Sequence, residues 1–325
     1  MRLIVETPGT RLSFDRGVLV IENRQENKIT EFPFLHITSL HLFPKVRVST
    51  DVLNYCIRSG IPVFLENTLE VTGLIWAPDY GSITHIRRRQ TLLSMSPLRW
   101  DIIRRTLVRK NRLRHELIRK LTTQNNLRQL ADEILAFDQQ IQQAAGAEAI
   151  RSAEALASKA FFDVFKQLLP RHCPFERREY RGTHNPVNAL LNYGYGMLYK
   201  EVTKSLIQAG LDPYMGFMHR HQHNRPALAY DMVEPYRPWI EQLTVRFCRK
   251  TDKQTQMTTS NGQLATPFRR HYARFVLEFL DNTKIRYNDR TKTPRSHIRL
   301  DMQQLAQHIK NYDDETLLDS IRHCQ

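Results

Sequence analysis

Cysteine, acid and long apolar runs are all scarce in this chain. Four cysteines, Cys56, Cys173, Cys248 and Cys324, are scattered over 325 residues without a Cys-x-x-Cys pair. That spacing argues against a zinc knuckle or a disulfide framework and leaves reduced thiols as the expectation. No apolar stretch approaches the roughly 18 residues that cross a bilayer. The start Met1-Arg2-Leu3-Ile4-Val5-Glu6 turns acidic too soon for a signal peptide. A cytoplasmic protein without a membrane partner is expected. Gly194 and Gly196 flank Tyr195 but follow no strand pattern, so they make no dinucleotide fingerprint. Acid is short as well: 33 Asp plus Glu stand against 48 Lys plus Arg, a formal net charge of +15. Such an excess points to a polyanionic partner, most commonly nucleic acid.

The first eighty residues read as β-rich, with alternating runs at 11–14, 18–22, 29–37, 39–43 and 46–49 and two apolar runs at 61–65 and 71–76. One short helix, 50–59, closes at Gly60. Pro78-Asp79-Tyr80-Gly81 marks the expected domain boundary. Beyond it the period becomes helical. The expected class is α+β, a sandwich-like β-rich domain at 1–80 followed by a larger all-α domain at 81–325. A long helix with Leu98, Ile102, Leu113, Leu117 and Leu121 on one face carries arginines and lysines on the others, including Arg105, Arg109, Lys110, Arg112 and Arg114. Only Asp101 and Glu116 lie close in sequence to compensate them, so Arg105, Arg109 and Arg112 are candidate contacts to a duplex backbone. Residues 282–296, polar, basic and rich in turn formers, are expected to form a loop.

Chemistry concentrates further along. Ile150, Glu154, Ala157, Phe161, Phe165 and Leu168 share one helix face, so Glu154 is a carboxylate aimed along an apolar stripe. Such a group needs a cation, either a structural arginine or a metal. Asn185-Pro186 opens another helix, beside whose stripe lies Glu201, a rival carboxylate for which a salt bridge is the plain alternative. His219 ends an apolar segment and precedes Asp231 and Glu234. As a helix start, Asp231 would be an N-cap with Glu234 three residues on; as ligands, these acids and His219 would suit a hard divalent cation held against phosphate. His221 and His223 offer a weaker three-histidine alternative.

Several segments together resemble one known family. They are Ala153-Glu154-Ala155 with Phe161-Phe162, the run 185–195 (Asn185 to Tyr195), the run 209–219 (Ala209 to His219), and the run 225–234 (Arg225 to Glu234) with Arg237-Pro238. In order and spacing they are similar to the CRISPR-associated protein one family of adaptation integrases. The resemblance implies a metal-dependent DNA endonuclease and integrase that inserts short foreign DNA segments into a CRISPR array. It implies Mg²⁺ or Mn²⁺ on Glu154, His219 and Glu234, with Asp231 a supporting carboxylate and Tyr199 and Tyr230 near the metal and positioning DNA; ordinary packing is an equally good reading of the two tyrosines. The implied partners are double-stranded DNA (donor fragment and repeat array), a second copy through the β domain, and CRISPR-associated protein two. A non-catalytic DNA-binding scaffold and a general nuclease on branched DNA are the alternatives. Ala155, Asn185 and Pro235 stand where the family more often has Gly, Asp and a second acid.

Overall fold

The computed structural model describes residues 1–23, 27–67, 70–76, 81–180 (backbone only at 81 and 82), 184–219, 225–251, 258 and 263–323. The chain divides into two compact units, Met1–Thr84 and His85–Gln325; Pro78 to Tyr80 of the expected boundary, His221, His223 and Cys324 lie outside the described residues.

In the first unit, β1 (Arg2–Val5), β5 (Ser39–Leu42), β7 (Val63–Glu66) and β8 (Val71–Ile75) form one sheet in the order β1-β5-β7-β8. A second sheet, β4-β3-β2-β6, is built from β2 (Arg11–Asp15), β3 (Val18–Asn23), β4 (Lys28–Pro33) and β6 (Arg47–Val48). Alternation decides what they bury: Leu3, Val5, Leu40, Leu42 and Val63 of the first sheet share one apolar core with Leu12 and Leu19 of the second. Val52 and Cys56 of helix α1 (Thr50–Arg58) complete it. Two features depart from the sequence reading. β1 was hidden in the charged start and is paired in parallel with β5. The expected strand 29–37 ends at Pro33, after which Phe34–His36 make a single 3-10 turn that drops Phe34 into the core.

The second unit is helical, with α2 (Gly81–Met95) leading into it. α3 (Arg99–Leu121), α4 (Asn125–Gln143) and α5 (Gly146–Leu168) run consecutively, and α6 (Pro186–Gln208) starts at Asn185, whose side chain accepts the Asn188 N–H as the sequence expects of a cap. α7 (Ala227–Val233), a 3-10 turn (Glu234–Tyr236) and α8 (Arg237–Lys250) follow. The expected helix start at Asp231 is therefore wrong. Pro226 sets the start four residues earlier, and Pro235 and Pro238, each in the first turn of the element after it, split one run into three. α6 and α8 cross closely at Gly194, where an added Cβ would come within 2.5 Å of Ile240. After α9 (Thr266–Asn282), the expected loop is a hairpin instead. β9 (Ile285–Tyr287) and β10 (Arg290–Lys292) turn on Asn288 and Asp289, both at positive φ, as a two-residue hairpin demands. α10 (Pro294–Lys310), capped by Thr293, and α11 (Asp314–Arg322) complete the unit. No helix among the described residues is long and apolar enough to cross a membrane.

Candidate metal and active site

The site is assembled from α3, α5, the α7 to 3-10 segment and the loop before it. Lys110 of α3 is 1% exposed, and its ammonium donates to Glu154 of α5 and, at 2.8 Å, to Oε2 of Glu234. One cation position is thus shared by the two carboxylates. Ser158, one turn along α5, donates to the same Glu154 oxygen at 2.8 Å. Arg237 binds the other Glu234 oxygen at 2.9 Å. Burial alone would push both carboxyls up. Lys110, with Ser158 and Arg114, outweighs it and holds Glu154 down at about 2. Arg237 and Lys110 likewise hold Glu234 below its ordinary value.

His219 is reached differently. The fully buried carboxylate of Asp231 accepts the backbone N–H groups of Phe217 (2.6 Å), Met218 (3.0 Å) and His219 (3.1 Å), and the His219 ring at Nδ1 (2.6 Å). Both Asp231 oxygens are therefore occupied in shaping the loop. Because a carboxylate only accepts, Nδ1 carries a proton, and in the neutral ring the lone pair then lies on Nε2. Gly216 permits the loop to lie this close to α7, since a Cβ there would come within 2.7 Å of Ala227 and 3.1 Å of Asp231 Oδ2. Arg151, one turn before Glu154, donates to the Met218 carbonyl at 2.8 Å, so α5 touches the His219 loop directly.

Of the sequence candidates, Glu154 and Glu234 are brought onto one cation, while Asp231 joins His219. Among the described residues no three His, Cys, Asp or Glu side chains stand close enough together to hold a metal. The donor set nonetheless suits one. Two carboxylates share a cation position, and the His219 imidazole is carried on a loop anchored to the same helix; carboxylate oxygens with one imidazole nitrogen would suit Mg²⁺ or Mn²⁺. Tyr199 receives a hydrogen bond from Arg237 at 2.5 Å and packs edge-on against Tyr230, whose ring lies 5.9 Å from that of His219. Glu201, the rival, is engaged by Lys204 at 2.8 Å and by Arg295.

The arginine-rich helix needs correcting. Its charges are largely met from distant parts of the chain, not left to Asp101 and Glu116. Arg114 is buried and forked onto Glu241 of α8, through Nε at 3.1 Å and a second nitrogen at 2.6 Å. Arg109 meets Asp301 at 3.2 Å and the Tyr287 hydroxyl at 3.0 Å. Arg112 lies 3.8 Å from Asp138 and stays exposed, as does Arg105, which makes no ion pair among the described residues. These three line a cleft of about 1020 Å³ between α3 and the β9–β10 hairpin. The sequence reading missed Lys110 as a member of the site and did not single out Glu241. The signal was present: Ile103, Leu107, Lys110, Arg114 and Leu117 recur at helical spacing, two cations within an apolar stripe.

The chain is similar to known proteins over most of its length. The family model for CRISPR associated protein Cas1 matches residues 3–272. A protein named CRISPR-associated endonuclease Cas1 2, from Pyrobaculum aerophilum, is 27% identical over 277 residues, covering 81% of this chain and 88% of its own. Among solved structures, a chain from a partial Cas6-RT-Cas1–Cas2 complex superposes with a TM-score of 0.74 at 21% identity, covering 96% of each chain. A casposase bound to its integration product gives 0.69 at 18% identity, covering 97% of each. The structural likenesses establish the fold, and the match across most of the sequence establishes the relationship: the chain belongs to the CRISPR associated protein Cas1 family.

Proposed function

We propose that the protein is a metal-dependent DNA endonuclease and integrase that joins short DNA segments to a CRISPR repeat array. The observation that carries this reading is the convergence of Glu154 and Glu234, from separate elements, on one cation position, with the His219 imidazole held by Asp231 on a loop that Arg151 of the same helix α5 ties down. Glu154, Glu234 and Nε2 of His219 would hold Mg²⁺ or Mn²⁺, which supplies Lewis-acid charge to a phosphodiester oxygen. The chain's own residues do the rest. Asp231 fixes the ring and the loop that carries it, while Arg237 orients Glu234 from the far side. Tyr230 packs edge-on against the His219 ring and Tyr199 against Tyr230, which would steady the imidazole. In integration a donor 3′-hydroxyl attacks phosphorus, loses its proton and displaces the 3′-oxygen of the target strand, so one phosphodiester is exchanged for another; with water as nucleophile the result is cleavage. Arg105 and Arg112, exposed along the cleft, would contact duplex phosphates.

The same reading takes double-stranded DNA as substrate, a second copy bound through residues 1–80, and CRISPR-associated protein two as a further partner. The Cas1–Cas2 complex and the integration-product complex among the structural neighbours support the DNA and the CRISPR-associated protein two partners. A strand-transfer assay with Mg²⁺, Mn²⁺ or EDTA tests it. His219→Ala, Glu154→Ala and Glu234→Ala should each abolish joining and cleavage while duplex binding persists. Joining that survives in all three variants would place the chemistry at other residues, and joining that never occurs in any divalent metal would leave a DNA-binding scaffold instead.

A further inference from the structure

Lys110 lies inside the protein, where α3 meets α5 and the 3-10 turn, and its ammonium reaches both Glu154 and Glu234. Two carboxylates side by side, Glu234 buried and Glu154 partly so, repel each other and have lost much of their water, which is unfavourable unless a cation stands between them. Arg237 relieves only the outer oxygen of Glu234. The oxygens facing Lys110, Glu154 Oε1 and Glu234 Oε2, are also those that a shared divalent ion would need. Metal to oxygen distances are about 2.0–2.6 Å, so ion and ammonium would lie close together as like charges in a largely enclosed site. They cannot both occupy it favourably.

Resting on the metal-site reading above, we propose that Lys110 is an internal counter-cation. It holds the carboxylate pair in register before the metal binds, and divalent loading is an exchange in which Lys110 gives up its place between Glu154 and Glu234. Lys110 is thus a positioning residue, and the affinity for metal is limited by how readily it leaves.

The test compares the purified full-length protein with Lys110→Met and with the double variant Lys110→Met/Glu154→Gln, by calorimetric titration with MnCl₂ and by thermal unfolding in EDTA and in Mn²⁺. Lys110→Met should unfold at a lower temperature than the parent in EDTA, bind Mn²⁺ at least tenfold more tightly and gain more from Mn²⁺ in melting temperature. The double variant should regain stability in EDTA yet lose Mn²⁺ binding. A Lys110→Met protein that is unfolded in EDTA and folds on addition of Mn²⁺ gives the same answer. Equal or weaker Mn²⁺ affinity in Lys110→Met, undiminished stability in EDTA, or a variant that stays unfolded with Mn²⁺ would overturn the exchange. Failure of the metal-site reading is recognisably different: the parent protein would then show no Glu154-dependent Mn²⁺ binding, and both proposals would fall together.

Discussion

Asp231 and His219 are joined twice, through the ring Nδ1 at 2.6 Å and the backbone N–H at 3.1 Å, both to the same carboxylate oxygen. The other oxygen serves Phe217 and Met218. Asp231 thus shapes the loop and the imidazole at once. In Asp231→Asn one of these acceptors becomes an NH₂ group facing donors. The variant should lose about 1–3 kcal/mol of stability in denaturant unfolding, and its Mn²⁺ affinity should fall about 10–100-fold, as for other partners of a ligating imidazole. An unchanged affinity would make Asp231 a scaffold for the loop alone.

The two glycines of α6 should behave in opposite ways. A methyl at Gly194 would come within 2.5 Å of Ile240 and 3.0 Å of the Tyr272 hydroxyl, whereas one at Gly196 meets nothing within 4 Å. Gly194→Ala should therefore cost about 1–3 kcal/mol by overpacking the crossing with α8. Gly196→Ala, in a helix interior with free space, should raise stability by up to about 1 kcal/mol. Chemical denaturation of the two single variants reads both signs.

Behind the site, Arg114 and Glu241 form a buried pair that also binds the Tyr195 hydroxyl at 2.8 Å, with the guanidinium 4.1 Å from the centre of the Phe161 ring. Removing one partner strands the other. Glu241→Ala should cost about 3–5 kcal/mol, and Glu241→Gln, which keeps the hydrogen bonds to one oxygen, should cost less. Urea unfolding of the two would separate loss of charge from loss of shape.

Much of this could be read before the fold was known, and the exceptions have physical causes. Periodicity placed α5 and the carboxylate of Glu154 on its apolar face, and the Asn185-Pro186 cap placed the start of α6. Glu154 was understood to need a cation; that the cation is Lys110, 44 positions earlier, depends on packing α3 against α5, which no local pattern specifies. Arg109 and Arg114 read as free charge because Asp301 and Glu241 are remote in sequence. Asp231 matched a helix cap in composition, but Pro226, Pro235 and Pro238 move the helix boundaries around it. β1 escaped notice because four residues with an arginine among them carry too little alternation to stand out.

Those ion pairs also revise what the cleft should do. Arg109 is already committed to Asp301 and Tyr287, so it should release few counterions from DNA. Replacing Arg105 and Arg112 together by Ala should reduce the slope of log affinity against log salt by about 2, and adding Arg109→Ala should change it by less than one further unit. Titration of duplex binding over a salt series measures this; a slope that does not move would assign the cleft to something other than phosphates.

The central claim, that Glu154, His219 and Glu234 surround one divalent cation, is tested most directly by anomalous scattering from Mn²⁺-soaked crystals of the full-length protein. The account predicts a single strong peak within about 2.0–2.6 Å of a Glu154 oxygen, a Glu234 oxygen and Nε2 of His219, with the Lys110 ammonium displaced from between the carboxylates. A peak bound elsewhere, or none beside Glu154 with Lys110 still bridging the two acids, would contradict it.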